Sequence, residues 1–277
     1  MKAVLRLLRP LNAAMSAAAV AVGAIVSVGL DGAAARWPSV ALGGVTVFLF
    51  TGAGNALNDF YDQDGDRVNH PDRPIPLGQV TPRAAFDLAL ALFVLAMVAS
   101  AFLNLAAIAL VVLSLVLMVS YEQRFKANGW IGNLVIAWLV GSLFLFAGLC
   151  VYEGAVRPLQ IAASLAVLAG SSTLAREVVK DIEDVAGDVD RVTLPKRRGV
   201  AFAGWVAQAV LGLAVALSIV PAALGILGPW YLPFVGAADA IFIYAALHAT
   251  RSPGQSERAM KMAMIVALVA FLAGGLR

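Results

Sequence analysis

Two short acidic stretches carry the residue types best suited to chemistry. The first runs from Gly54 to Asp66 and contains Asn55, Asn58, Asp59, Asp62, Asp64 and Asp66. The second runs from Lys180 to Asp188 and contains Asp181, Glu183, Asp184 and Asp188. Asp59, Asp62, Gly65 and Asp66 recur 122 positions later as Asp181, Asp184, Gly187 and Asp188. On a helix turning about 100° per residue, Asn55, Asn58, Asp59, Asp62 and Asp66 fall within an arc of roughly 100°. Asp181, Asp184 and Asp188 cluster the same way, whereas Asp64 and Glu183 point elsewhere. Each stretch therefore offers one face of hard oxygen donors.

Carboxylates gathered without partners repel one another, and divalent cations relieve that repulsion. Asp and amide oxygens with no His or Cys beside them select Mg²⁺ or a similar hard ion over zinc or copper. His70 and His248 lack ligand spacing, and the single cysteine, Cys150, cannot form an internal disulfide. Basic groups flank the acids. Arg67 to Gly78 holds two arginines, three prolines and a glycine, which predicts a rigid, non-helical loop able to clamp phosphate. Mg²⁺ completes its shell with substrate phosphate and water, so two acidic faces with Arg and Lys nearby suit a diphosphate.

The elements that must position these groups are membrane helices. Only 13% of the 277 residues are charged and the mean hydropathy is +0.86, where soluble chains carry about a quarter charged residues. Nine runs are long enough to span a bilayer: Pro10–Leu30, Trp37–Asn58, Ala84–Leu103, Leu105–Tyr121, Ile131–Val151, Pro158–Val179, Val200–Val220, Trp230–His248 and Arg258–Gly275. The first, preceded by Lys2, Arg6 and Arg9, reads as a retained span rather than a cleaved signal. Of 20 Lys and Arg, all but Arg36, Arg157 and Arg277 fall on one side, which the positive-inside rule makes cytoplasmic. Both acidic stretches share that side. The expected fold is all-α, one domain over residues 1–277, with nine spans around a central cavity. Spans one to four and five to eight form parallel pseudo-repeats, and the ninth is appended. Asp239, near the middle of the eighth span, is a polar residue expected to face the interior.

A metal-diphosphate site at the mouth of an apolar helical chamber suits a substrate with a charged head and a long hydrocarbon tail. A prenyl diphosphate fits. Metals and basic groups stabilise a departing diphosphate, and an apolar pocket keeps the allylic cation from water. A cation-coupled transporter is the alternative from another class, because intramembrane acids and repeats occur there too. It would hold its acids near the bilayer midplane, whereas these lie at the ends of spans.

At these residues the chain resembles the UbiA superfamily of intramembrane prenyltransferases, with Asn58-Asp59-Phe60-Tyr61-Asp62-Gln63-Asp64-Gly65-Asp66 as first motif and Asp184-Val185-Ala186-Gly187-Asp188 as second. Arg9 to Asn12, Asp72 to Pro76, Ile131 to Val135 and Ala175 to Asp184 are most similar to its archaeal digeranylgeranylglyceryl phosphate synthase branch. That resemblance implies transfer of a geranylgeranyl group from its diphosphate to the hydroxyl of geranylgeranylglyceryl phosphate, forming an ether. Members with an aromatic acceptor, such as a quinone or chlorophyll precursor, are the runner-up. It also implies two Mg²⁺ ions, one held by Asn58, Asp62 and Asp66, with Asn55 on the same face, the other by Asp184 and Asp188. Asp59 and Asp181, with Asp62 and Asp184, form the catalytic set, the first two ligating directly or through water. Arg67, Arg73, Lys126 and Lys180 are candidates for the two phosphate groups, and Asn12, Tyr121 and Arg176 for further substrate contacts. The expected partners are a prenyl diphosphate, a lipid-like phosphate acceptor and the bilayer; no nucleic acid is expected.

Overall fold

Pro10 opens the first long helix because a first-turn proline loses no intrahelical hydrogen bond. In the computed structural model, which describes residues 2–186 and 192–276, helices α3, α5 and α13 also start on a proline in the first turn. In chain order the elements are α1 (Lys2–Leu8), α2 (Pro10–Ala35), α3 (Trp37–Tyr61), α4 (Gln63–Asn69), α5 (Pro82–Ala101), α6 (Leu105–Ser120), α7 (Gly129–Cys150) and α8 (Val156–Glu183). They continue with α9 (Leu194–Arg198), α10 (Val200–Ser218), α11 (Val220–Ala223), α12 (Tyr231–His248) and α13 (Pro253–Gly275). Among the described residues nine helices are long and apolar enough to cross a membrane, in the order expected from the hydrophobic runs. The fourth span is longer than its apolar run, because a π-helical turn, Tyr121–Phe125, extends α6.

Packing order explains the repeat. α2 packs on α3, α3 on α5 and α5 on α6; in the second half α7 packs on α8, α8 on α10 and α10 on α12. α13 packs against α12, α8 and α2, which closes the ring. Small residues let the most extensive pair approach closely. A Cβ on Gly141 would stand 2.7 Å from the Ala166 carbonyl oxygen, and one on Gly148 2.5 Å from the Ala162 Cβ, so neither position of α7 accepts a side chain against α8. The α5–α6 hairpin turns at Asn104. Its Oδ1 accepts from Ala107 N at 2.9 Å, and its Nδ2 donates to the Leu149 carbonyl at 2.8 Å, capping α6 and tying the hairpin to α7. At the end of the molecule away from the acidic motifs, Arg36 pairs with Glu153.

One expectation needs correction. The non-helical loop does not begin at Arg67, because α4 carries helical structure through Asn69. The prolines act only from Pro71 onward, in a segment of turns folded back on itself. Gln79 N donates to Pro74 O at 2.9 Å, and Gly78 takes φ 67° where a Cβ would be strained.

Candidate active site

The first acidic motif spans a break. α3 ends at Tyr61, Asp62 joins it to α4, and the Asp62 and Asp66 amides still donate four residues back, to Asn58 O at 2.9 Å and Asp62 O at 2.8 Å. The face therefore survives the junction, and Asn55, Asn58, Asp59, Asp62 and Asp66 stay together. Asp64 lies outside it, exposed and paired with Arg67 at 3.2 Å.

Three cations converge on that face. Arg9, between α1 and α2, adopts φ 47° and ψ 65°, a left-handed conformation rare outside glycine. Its Nη2 donates to Asp59 Oδ1 at 2.6 Å. Arg73 Nη1 donates to both oxygens of Asp66 at 2.6 and 2.8 Å and stands 3.6 Å from Asp59 Oδ1. Asp59 is only 2% exposed, so the two guanidiniums offset the cost of a buried carboxylate. Lys126 Nζ reaches Asp62 at 2.5 and 2.6 Å and Glu122 Oε2 at 3.2 Å. Glu122, buried, also accepts from Asn58 Nδ2 at 3.0 Å.

The π-helical turn makes that last contact possible. Lys126 N donates to Tyr121 O, five residues back, at 2.9 Å, and the wider turn re-aims the side chains that follow. Tyr121 and Glu122 thereby face the interior while Lys126 lies over Asp62. Gly132 accommodates the turn, since a Cβ there would lie 2.8 Å from the Phe125 carbonyl oxygen. The amino-terminal segment is held as firmly. Asn55 Nδ2 donates to Leu8 O at 3.0 Å, Arg6 donates to Asp72 O at 2.5 Å, and Leu7 packs with Ile75 and Ala85.

Part of this cluster, Arg9, Asn55, Asn58, Tyr121 and Glu122, borders a cavity of about 540 Å³. Arg9, Asn12, Asn55, Asn58, Tyr121, Glu122 and Arg176 supply most of its polar lining, and Phe50, Leu139, Leu143 and Phe146 much of its apolar body. Arg176, on α8, is braced by Glu177 and by Glu257 of α13, whose Oε1 accepts from Nη1 at 2.8 Å. The first motif and the helix bearing the second thus contribute to one chamber.

In the second motif, Asp181 is buried and accepts from Asn133 Nδ2 of α7 at 2.7 Å. Asp184 is exposed at the end of α8, and Asp188 lies outside the described residues. Arg67 and Lys180, two candidates for phosphate contact, are on exposed positions and do not join the Arg9–Arg73–Lys126 group. The cluster adds members that sequence reasoning did not assign: Glu122, Asn133 and Glu257. Glu122 and Lys126 do stand four apart at the end of an apolar run, a spacing that places two side chains on one helix face.

The donor set fits Mg²⁺. The carboxylates of Asp62, Asp66 and Asp184 and the amide oxygen of Asn58 are oxygen donors of the kind a hard ion such as Mg²⁺ takes. Arg73 holds Asp66 and Lys126 holds Asp62 in this structure.

Residues 13–273 match the profile of the UbiA prenyltransferase family. A digeranylgeranylglyceryl phosphate synthase from Haloquadratum walsbyi is 40% identical over 235 residues, covering 84% of this chain and 81% of that protein. A solved structure concerning digeranylgeranylglyceryl phosphate synthase in membranes superposes with a TM-score of 0.86 at 29% identity, over 99% of this chain and 98% of that one. A UbiA homologue from Archaeoglobus fulgidus, solved bound to GPP and Mg²⁺, shares the fold at a TM-score of 0.63 and 17% identity, over 99% of each chain.

Proposed function

The chain belongs to the UbiA prenyltransferase family, and on that premise we propose that it transfers a geranylgeranyl group from geranylgeranyl diphosphate to the free hydroxyl of geranylgeranylglyceryl phosphate. The product is an ether of archaeal-type membrane lipid synthesis. The observation that carries this reading is the set of Arg9, Arg73 and Lys126 held on Asp59, Asp66 and Asp62, joined through Arg9, Asn58 and Glu122 to a largely apolar chamber of about 540 Å³. The identity to digeranylgeranylglyceryl phosphate synthases supports the choice of acceptor.

In this mechanism Arg73 and Lys126 turn from the carboxylates to the diphosphate oxygens, where negative charge grows as the allylic C–O bond breaks. Asn58, Asp62 and Asp66, and Asp184 with Asp188, would hold two Mg²⁺ ions, which would supply positive charge for the departing diphosphate. Asn55 and Asn58 fix the rim of the chamber, and Arg9 keeps Asp59 in place. Phe50, Leu143 and Phe146 exclude water from the cationic C1 until the acceptor oxygen attacks. In this reading the nine spans among the described residues and both motifs belong to one domain.

The test is incubation of the purified protein in nanodiscs with radiolabelled geranylgeranyl diphosphate and geranylgeranylglyceryl phosphate. Labelled ether phospholipid should form with Mg²⁺ and be lost when the ion is chelated. Prenylation of an aromatic acid such as 4-hydroxybenzoate, with none of the glyceryl phosphate, would overturn the acceptor.

The active-site end faces the cytoplasm in this reading, supported by the crowding of Lys and Arg there. Cys150 is buried and is the sole cysteine, so introduced thiols report sidedness cleanly. An impermeant maleimide added to intact cells should label Val156→Cys and spare Gln79→Cys. The reverse pattern would invert the orientation.

A further inference from the structure

A second cavity, of about 220 Å³, lies between α7, α8, α10, α12 and α13. It shares the side chains of Val140 and Leu143 with the larger chamber. Its lining is mostly apolar. The polar groups are Ser218, Asp239, which accepts from Ser218 Oγ at 2.7 Å, Tyr231, which donates to Ser218 O at 2.7 Å, and Ser172 and Thr173, of which the last is unusual. Thr173 is 1% exposed, and its Oγ1 has no hydrogen-bond partner among the described residues. A buried hydroxyl without a partner is costly, and Thr173 stands in the cavity wall, where a turn of its side chain would give Oγ1 a ligand atom to pair with. The neighbouring Ser172 hydroxyl is already bonded, to Ala169 O at 3.1 Å.

One face of α8 connects the two cavities. Arg176 lines the larger, and Thr173, Ser172, Ala169 and Leu168 line the smaller. These positions fall three, four, seven and eight residues before Arg176, the spacing of a continuous helical stripe, about 12 Å long at 1.5 Å per residue. The stripe reads from a guanidinium, through an unpaired hydroxyl, to hydrocarbon. Glu257 and Glu177 take two of the five N–H donors of Arg176, and the planar fork has three left for a phosphate.

We propose that this stripe and the smaller cavity form the acceptor site: Arg176 binds the phosphate of a prenylglyceryl phosphate, Thr173 pairs with a glyceryl oxygen, and the prenyl tail lies in the smaller cavity. The inference rests on the proposed function, because that reaction must hold two long hydrocarbon chains at once. The donor then occupies the chamber beside Arg9, Arg73 and Lys126, and the shared wall at Val140 and Leu143 is where the chains meet. In the joining step the C1–O bond of the allylic diphosphate breaks with its electron pair passing to the diphosphate. A lone pair of the acceptor hydroxyl forms the new C1–O bond, and the hydroxyl proton leaves to diphosphate.

Steady-state kinetics in nanodiscs with donor and acceptor varied separately test this. Thr173→Val keeps the shape and removes the hydroxyl, and should raise the acceptor KM about three- to tenfold, the effect of one lost hydrogen bond, with the donor KM unmoved. Ala169→Leu narrows the cavity, and should lower kcat/KM for a C20-tailed acceptor at least fivefold relative to a C10-tailed one. A rise in the donor KM, or a changed preference among donor chain lengths, would assign the cavity to the donor and overturn the proposal. Unchanged kinetics in both folded variants would overturn it as well. Absence of transfer to any glyceryl phosphate by the unaltered protein would instead sink the function itself, so the two failures are distinguishable.

Discussion

Asp62→Asn should lower kcat by on the order of a thousandfold or more while leaving the melting temperature in detergent nearly unchanged. The substitution keeps the side chain's size and removes the charge that draws in a divalent ion. Asp62 tolerates it structurally because it sits at the junction of α3 and α4 with its side chain 31% exposed. Lys126, deprived of one carboxylate, keeps Glu122 at 3.2 Å. Its charge stays compensated and the π-helical turn stays in place. Asp184→Ala should act in the same way, because that residue is exposed at the end of α8. Turnover is the measurement, taken at saturating donor across a Mg²⁺ titration. Wild-type kcat in either variant would remove that carboxylate from the ion site.

Why the acidic motifs were legible is a matter of cost. A membrane helix excludes carboxylates unless they are used, so Asp59, Asp62, Asp181 and Asp184 stand out against an apolar background. The nine spans were legible for the same reason, being long apolar runs. Contacts between distant spans were not. Asn58 meets Glu122 across 64 residues and Arg176 meets Glu257 across 81, and no local pattern announces such a pair. The π-helical turn was hidden too, because it ends the apolar run, and no periodic stripe follows Phe125 to reveal the shift in phase. Arg67 shows the opposite error. It adjoins the motif in sequence, yet α4 carries it round to Asp64 on an exposed face. Proximity along a helix is not proximity in space unless the angle agrees.

Asp59 contrasts with Asp62, three residues away on the same face. Asp59→Ala should destabilise the fold by about 3 kcal/mol, the low end for breaking a buried ion pair, because Arg9 and Arg73 keep partial contact with solvent. The loss is greater than that of one contact. Arg9 holds a left-handed backbone between α1 and α2, and Asp59 Oδ1 is the acceptor for its guanidinium. Without it, the turn that fixes α1 against Leu8–Asn55 and the Ile75 cluster loses its anchor. Arg73 would keep Asp66 alone. Thermal unfolding in detergent should therefore show a clear fall in melting temperature for Asp59→Ala and almost none for Asp62→Asn. Asp59→Asn should fall between, retaining one acceptor oxygen without the charge. If Asp59→Ala melted with the unaltered protein while losing all turnover, Asp59 would serve the reaction directly and Arg9 would need another anchor.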